Sequence, residues 1–166
     1  MLHDKAMKYS VSIHTELDPA LPRAEADRVQ IQQVLMNLLL KGIEAMQETG
    51  GGKLTVASTN LQDRQLLITV SDSGVGVSVD QVERIFEAFF TTKPEGTGMG
   101  LSISRRIIES HGGLLWANPN PGRGATFGFA LPAAERQDSA RHGSDVRAAH
   151  WSGAHHRQRV VFAPPT

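Results

Sequence analysis

The chain has 166 residues, 17 Lys plus Arg against 17 Asp plus Glu, and no Cys. That length suits a single domain burying roughly two thirds of its unfolded surface, and the missing Cys excludes a disulfide framework, a thiolate metal site and a cysteine nucleophile. A balanced charge gives no net pull toward nucleic acid or anionic lipid; no apolar run approaches the roughly 20 residues of a membrane span, and the N-terminus lacks a signal-peptide apolar core. The expectation is a cytoplasmic α/β domain with no nucleic-acid partner and no membrane contact by this segment.

Residues 10–16 alternate Val11 and Ile13 with polar neighbours and read as a half-buried strand. A turn at Asp18-Pro-Ala-Leu-Pro22 follows, and Asp27 is placed to cap a helix over residues 28–47. In that helix Ile31, Val34, Leu35, Leu38 and Leu39 fall at spacings of three and four, and Gly50-Gly51-Gly52 stops it. Residues 53–59 and 65–71 read as strands joined by a hairpin around 61–64. A short helical stretch over 79–86, a loop to Gly100, a helix over 101–109 ended by His111-Gly112-Gly113, and strands over 114–117 and 126–131 complete the body. This order predicts an α/β two-layer sandwich, a mixed and mostly antiparallel sheet with helices on one face. Residues 1–133 form the domain. Residues 134–166, rich in Arg, His, Ala and Ser without a sustained period, read as a disordered tail.

Three glycine clusters stand where chemistry is expected. Asp72-Ser-Gly74-Val-Gly76 follows a strand, Gly96-Thr97-Gly98-Met99-Gly100 precedes a helix, and Gly122-Arg-Gly124-Ala-Thr126 precedes the last strand. Such glycines permit close backbone approach to a ligand, and those ahead of a helix leave free N–H groups and a positive dipole end suited to phosphate. Each cluster alone is compatible with an ordinary turn.

Their order carries more. The helix segment QVLMNLLLKGIEAM, with Asn37 and Lys41 one turn apart, precedes DSGVG, then FEAFFTTK ending in Thr92 and Lys93, then GTGMGLSI and GRGATF. This succession resembles the N, G1, F, G2 and G3 boxes of the histidine-kinase catalytic and ATP-binding domain, in the superfamily shared with gyrase, a heat-shock chaperone and mismatch-repair MutL. The resemblance covers residues 10–132 and implies a Bergerat-type ATP-binding fold. It implies that Asp72 accepts the adenine amino hydrogen while Gly74 and Gly76 let the backbone pass beside the base. It implies that Gly96, Thr97, Gly98, Met99 and Gly100 flank the phosphates at the start of a helix opening with Leu101, that Lys93 adds a point charge beside Thr92, and that Thr126 packs near adenine. Only Pro94 and Glu95 separate Lys93 from Gly96, a short lid similar to those of nitrogen-regulation and oxygen-sensing kinases.

Two departures from the pattern matter. The family places Asn at both Asn37 and the position of Lys41, the second as Mg²⁺ ligand; here only Asn37 remains as a metal ligand and as a catalytic residue with Lys93. An ammonium has no acceptor and cannot ligate a cation. Three outcomes stay open: Lys41 contacts a phosphate directly, Lys41 repels Mg²⁺ and impairs the kinase, or Mg²⁺ is held by phosphates, water and Asn37. The second departure is that no phosphoacceptor histidine is evident. His3 lies in a segment without the apolar periodicity of a helical hairpin, His14 lies in a strand, His111 suits a helix C-terminus, and the remaining four histidines lie in the tail.

The resemblance therefore implies a catalytic domain that donates the γ-phosphate of ATP to a histidine on a dimerisation domain of the same kinase, upstream of a response regulator. Two rivals are an anti-sigma-factor-type serine kinase and a non-catalytic ATP-binding module, the latter motivated by Lys41.

Overall fold

The computed structural model describes residues 1–61, 64–92 and 96–134. Within them the chain runs α1 (Leu2–Lys8), β1 (Val11–Leu17), α2 (Arg28–Ala45), β2 (Gly52–Leu61), β3 (Gln65–Asp72), 3-10 turns at Val79–Gln81 and Arg84–Phe86, α3 (Gly100–Ser110), β4 (Leu114–Pro119) and β5 (Ala125–Pro132). The expectations for Lys93 and for the tail past Ala134 lie outside the described residues.

The strands form one sheet in the order β1-β2-β3-β5-β4. Only β1 and β2 are parallel, which requires a crossover, and α2 supplies it. The other pairings are antiparallel, Leu61 opposite Gln65 closing the β2–β3 hairpin and Ser71 opposite Thr126 near the end of β3. Period-two alternation turns Leu66, Val70 and Asp72 of β3, with Ala125, Phe127, Phe129 and Leu131 of β5, to one buried face. Val34, Leu38 and Ile43 of α2 and Leu101 and Ile108 of α3 cover that face. Full burial of each such side chain contributes about 1.5–3 kcal/mol. The mixed sheet with helices on one face is as expected.

α2 begins where Asp27 accepts the N–H of Gln30 at 2.9 Å, leaving one fewer unsatisfied donor in the first turn. The same Asp27 donates its own N–H to Nε2 of His111 at 3.0 Å, while Nδ1 of His111 stands 2.8 Å from the carbonyl of Ile107. Nδ1 therefore carries the ring hydrogen, and His111 joins the end of α3 to the start of α2 instead of only facing the helix dipole.

Two local differences have simple causes. The first residues form α1, whose seven residues are too few to display periodicity; buried Ala6 and packed Leu2 and Tyr9 hold it to the core. β1 buries only Val11, and Ile13 is 41% exposed, because this strand is the sheet edge with a neighbour on one side. The predicted short helix over 79–86 is resolved as two 3-10 turns.

Candidate functional site

At the end of β3 the chain turns sharply, and Asp72 sits inside the turn. The residue is 4% exposed, and its carboxylate accepts the N–H of Gly74 at 2.9 Å and the N–H of Ala125. Burial pushes its pKa up from the usual carboxylate range, with the two N–H groups opposing that shift. No cation pairs with it among the described residues, so the carboxylate keeps acceptor capacity for whatever enters the space before it.

That space is an open cavity of about 160 Å³. Ala45, Val77, Ile85, Leu101 and Phe127 supply apolar wall, and Lys41, Glu44, Glu48, Asp72 and Thr92 supply polar groups. A mostly apolar slot with one buried acceptor suits a flat heteroaromatic ring carrying an amino group.

The backbone closes tightly behind Asp72. Gly124 has φ +90°, and a Cβ there would lie 1.9 Å from the carbonyl oxygen of Asp72. Gly76, at φ +78°, would place a Cβ 2.8 Å from the carbonyl oxygen of Gly124. The first and third glycine clusters therefore cross backbone on backbone, which only glycine allows.

α2 runs along the cavity and measures it. At one end Asn37 donates Nδ2 to the carbonyl of Gly100 at 3.3 Å and to Oγ of Ser104 at 3.1 Å, tying α2 to the first turn of α3. At the other end the carbonyl of Ala45 accepts the N–H of Val75 at 3.1 Å, beside Asp72. Eight residues at 1.5 Å rise separate these points by about 12 Å. Lys41 stands midway and lines the cavity, and its ammonium makes no ion pair or hydrogen bond among the described residues. The N–H of Phe89 bonds the carbonyl of Gly98 at 3.0 Å, joining the phenylalanine segment to the loop that leads into α3.

Of the residues expected at the site, Lys41, Asp72, Gly76, Thr92 and Leu101 line the cavity. Gly74 is buried behind it through its bond to Asp72. Asn37 and Gly100 meet beside the start of α3, and Gly96, Thr97, Gly98 and Met99 lead into that helix without lining the cavity. Thr126 requires correction: it points to the opposite face of the sheet. Strand alternation gives the cavity face to Ala125 and Phe127, neither of which the sequence reading singled out, although the two-residue period fixed by Asp72 and its β5 partners would have found them. On the far face Thr126 bonds Oδ1 of Asn120 at 2.6 Å and Oγ of Ser71 at 2.8 Å, and Nδ2 of Asn120 donates to Ser71 at 3.1 Å and to the main-chain oxygen of Asp72 at 2.9 Å. Oδ1 of Asn120 can only accept, so Thr126 donates to it and Ser71 donates to Thr126, closing a directed ring. Among the described residues no group of three His, Asp or Glu side chains gathers as a metal site.

The profile of the family described as Histidine kinase-, DNA gyrase B-, and HSP90-like ATPase matches residues 26–135. The chain is 48% identical over 130 residues to Sensor protein FixL of Bradyrhizobium diazoefficiens, covering 78% of this chain and 26% of that protein. It is 37% identical over 137 residues to Sensor histidine kinase ZraS of Klebsiella oxytoca, covering 82% and 29% respectively. The chain thus spans somewhat over a quarter of the length of these curated relatives. Among solved structures, the catalytic domain of histidine kinase ThkA superposes with a TM-score of 0.69 at 38% identity, covering 80% of this chain and 85% of that one. ThkA in complex with the response regulator protein TrrA gives a TM-score of 0.65 at 36% identity, covering 80% and 37%. The chain belongs to the histidine kinase-, gyrase B- and HSP90-like ATPase family, as an ATP-binding catalytic domain of the sensor histidine kinase type.

Proposed function

We propose that this domain holds ATP with its adenine against Asp72 and its phosphates toward the start of α3, and presents the γ-phosphate to a histidine of a dimerisation domain in the same kinase. The observation that carries this reading is the buried, uncompensated carboxylate of Asp72 at the end of an apolar slot. An acceptor there pairs with the amino group of adenine and opposes the carbonyl of guanine. Gly76 admits the base edge, and the N–H groups opening α3, with Gly96, Thr97, Gly98, Met99, Gly100 and Leu101 around them, face the phosphates. Lys93 and Thr92 add charge and a hydroxyl at the lid, and Asn37 fixes the helix that carries Lys41.

In the reaction an imidazole nitrogen of the incoming histidine attacks the γ-phosphorus while the bond to the β-phosphate oxygen breaks and ADP leaves. The domain contributes positioning and charge. The phosphohistidine then serves a response regulator, a partner of the kind seen with ThkA. The described residues contain no helix long and apolar enough to cross a membrane, and a site built for ATP belongs in the cytoplasm.

The family generally binds ATP with Mg²⁺, but the side chains here do not fit a divalent cation. Lys41 offers no lone pair, Asn37 turns Nδ2 to α3 and so keeps Oδ1 as its one acceptor, and among the described residues no group of three His, Asp or Glu side chains gathers as a metal site. The test is calorimetric titration with ATP and GTP, followed by radiolabelled phosphate transfer to a supplied helical histidine domain of a related kinase. ATP-selective binding with transfer supports the proposal. Equal binding of ATP and GTP sinks the adenine assignment, and binding without transfer favours the non-catalytic module that Lys41 suggests.

A further inference from the structure

We infer that Lys41 takes the place of a divalent cation, so that this domain binds ATP as the metal-free nucleotide. The inference rests on the ATP reading above and deepens it. Lys41 lies four residues from Asn37 and four from Ala45, about 6 Å along the helix from each. A nucleotide with its base at Asp72 and its phosphates toward Gly100 therefore passes its middle phosphates in front of Lys41. The ammonium lines the cavity and has no ion pair or hydrogen bond among the described residues. A desolvated anion arriving there meets three N–H donors with no competing partner.

Two carboxylates also line the cavity, and their placement is consistent with this role. Glu44 and Glu48 lie on the C-terminal side of Lys41, toward Asp72 and away from α3, and Glu44 bonds Nζ of Lys5 at 3.5 Å. They leave the phosphate end to Lys41 and to the N–H groups of the first turn of α3, where the helix dipole is positive. A divalent cation at this point lies against the Lys41 ammonium, and position 41 offers it no side-chain oxygen. The lysine charge and the metal thus compete for the same phosphate oxygens.

The experiment compares ATP and adenosine by calorimetry in EDTA and in Mg²⁺, for the chain as it is, for Lys41→Met and for Lys41→Asn. In EDTA the unaltered chain binds ATP at least about tenfold more tightly than adenosine, and Lys41→Met removes that margin without changing adenosine affinity. Added Mg²⁺ leaves the unaltered chain unchanged or weaker and strengthens ATP binding to Lys41→Asn. Tightening of the unaltered chain by Mg²⁺ of about tenfold or more overturns the inference, as does an ATP-to-adenosine ratio that ignores Lys41→Met. Adenosine affinity reports the base site alone, so its loss in all three chains strikes the ATP reading itself, whereas its retention confines any failure to Lys41.

Discussion

Asn120 grips Asp72 from behind: its side-chain amide donates to the main-chain oxygen of Asp72 at 2.9 Å from the opposite side of the sheet to the cavity. Asp72 is thereby held at two points, its carboxylate by the N–H groups of Gly74 and Ala125 and its main chain by Asn120, which the ring with Ser71 and Thr126 orients. Asn120 is a positioning residue. Asn120→Ala should cost about 2 kcal/mol of stability through three lost bonds. It should also narrow the ratio of ATP to GTP affinity by about tenfold. A residue that merely braced the fold would lower the melting temperature and leave that ratio alone, which paired calorimetric titrations decide.

Asp72→Asn separates binding from stability. The Asn oxygen can still accept from Gly74, but with adenine placed as proposed the amide hydrogens oppose its amino group, so ATP affinity should fall about 100-fold. The nucleotide-free variant should be the more stable protein at neutral pH, because it removes a buried charge. The sign follows from the raised pKa. The folded state holds the Asp72 proton more tightly than the unfolded chain, so the natural protein loses stability as pH rises from the ordinary carboxylate range through that raised value. Denaturant midpoints should therefore favour the variant at pH 7 and converge toward pH 4. A gap that stayed constant across this range would contradict burial of the charge as its cause.

Gly122 and Gly124 share a left-handed backbone, at φ +89° and +90°, yet differ in surroundings. A Cβ at Gly122 meets nothing within 4 Å, whereas one at Gly124 collides with the main chain of Asp72. Gly122→Ala should cost about 1 kcal/mol of backbone strain. Gly124→Ala should cost about 3 kcal/mol and abolish nucleotide binding. Urea unfolding of the two variants tests the difference, and equal losses would show that the crossing relaxes.

His111→Ala should destabilise the domain by about 1–2 kcal/mol, since it leaves the N–H of Asp27 without its acceptor at the start of α2. His111→Gln, which can still present an oxygen, should recover part of that. Thermal unfolding monitored by circular dichroism distinguishes them.

Much of this architecture was legible because its signals are local. The spacing of Val34 and Leu38, the Asp27 cap and the alternation of β3 each depend on neighbours a few residues away, and the glycine clusters mark turns wherever they occur. α1 escaped because a helix of seven residues has no period to read. Thr126 was assigned to the cavity because a linear motif does not state which way a strand residue points; pairing with Ser71, 55 residues earlier, settles the face. Asn120 gave no signal at all, its partners Ser71 and Asp72 being brought to it only by the β3–β5 pairing and the turn between β4 and β5. Lys41 was visible as an oddity, but that it lines the cavity without a partner among the described residues is a property of the folded chain.

The crossing of Gly76 over Gly124 bears on how such domains diverge. Each glycine is required by the close passage of main chain over main chain, independently of whether a phosphoryl group is ever moved. A descendant that abandoned catalysis while keeping its shape would still be held to the same glycines, and drift would first erase the side chains that touch phosphate. In this architecture the glycine clusters therefore report shape, and by themselves they say nothing about whether a phosphoryl group is moved.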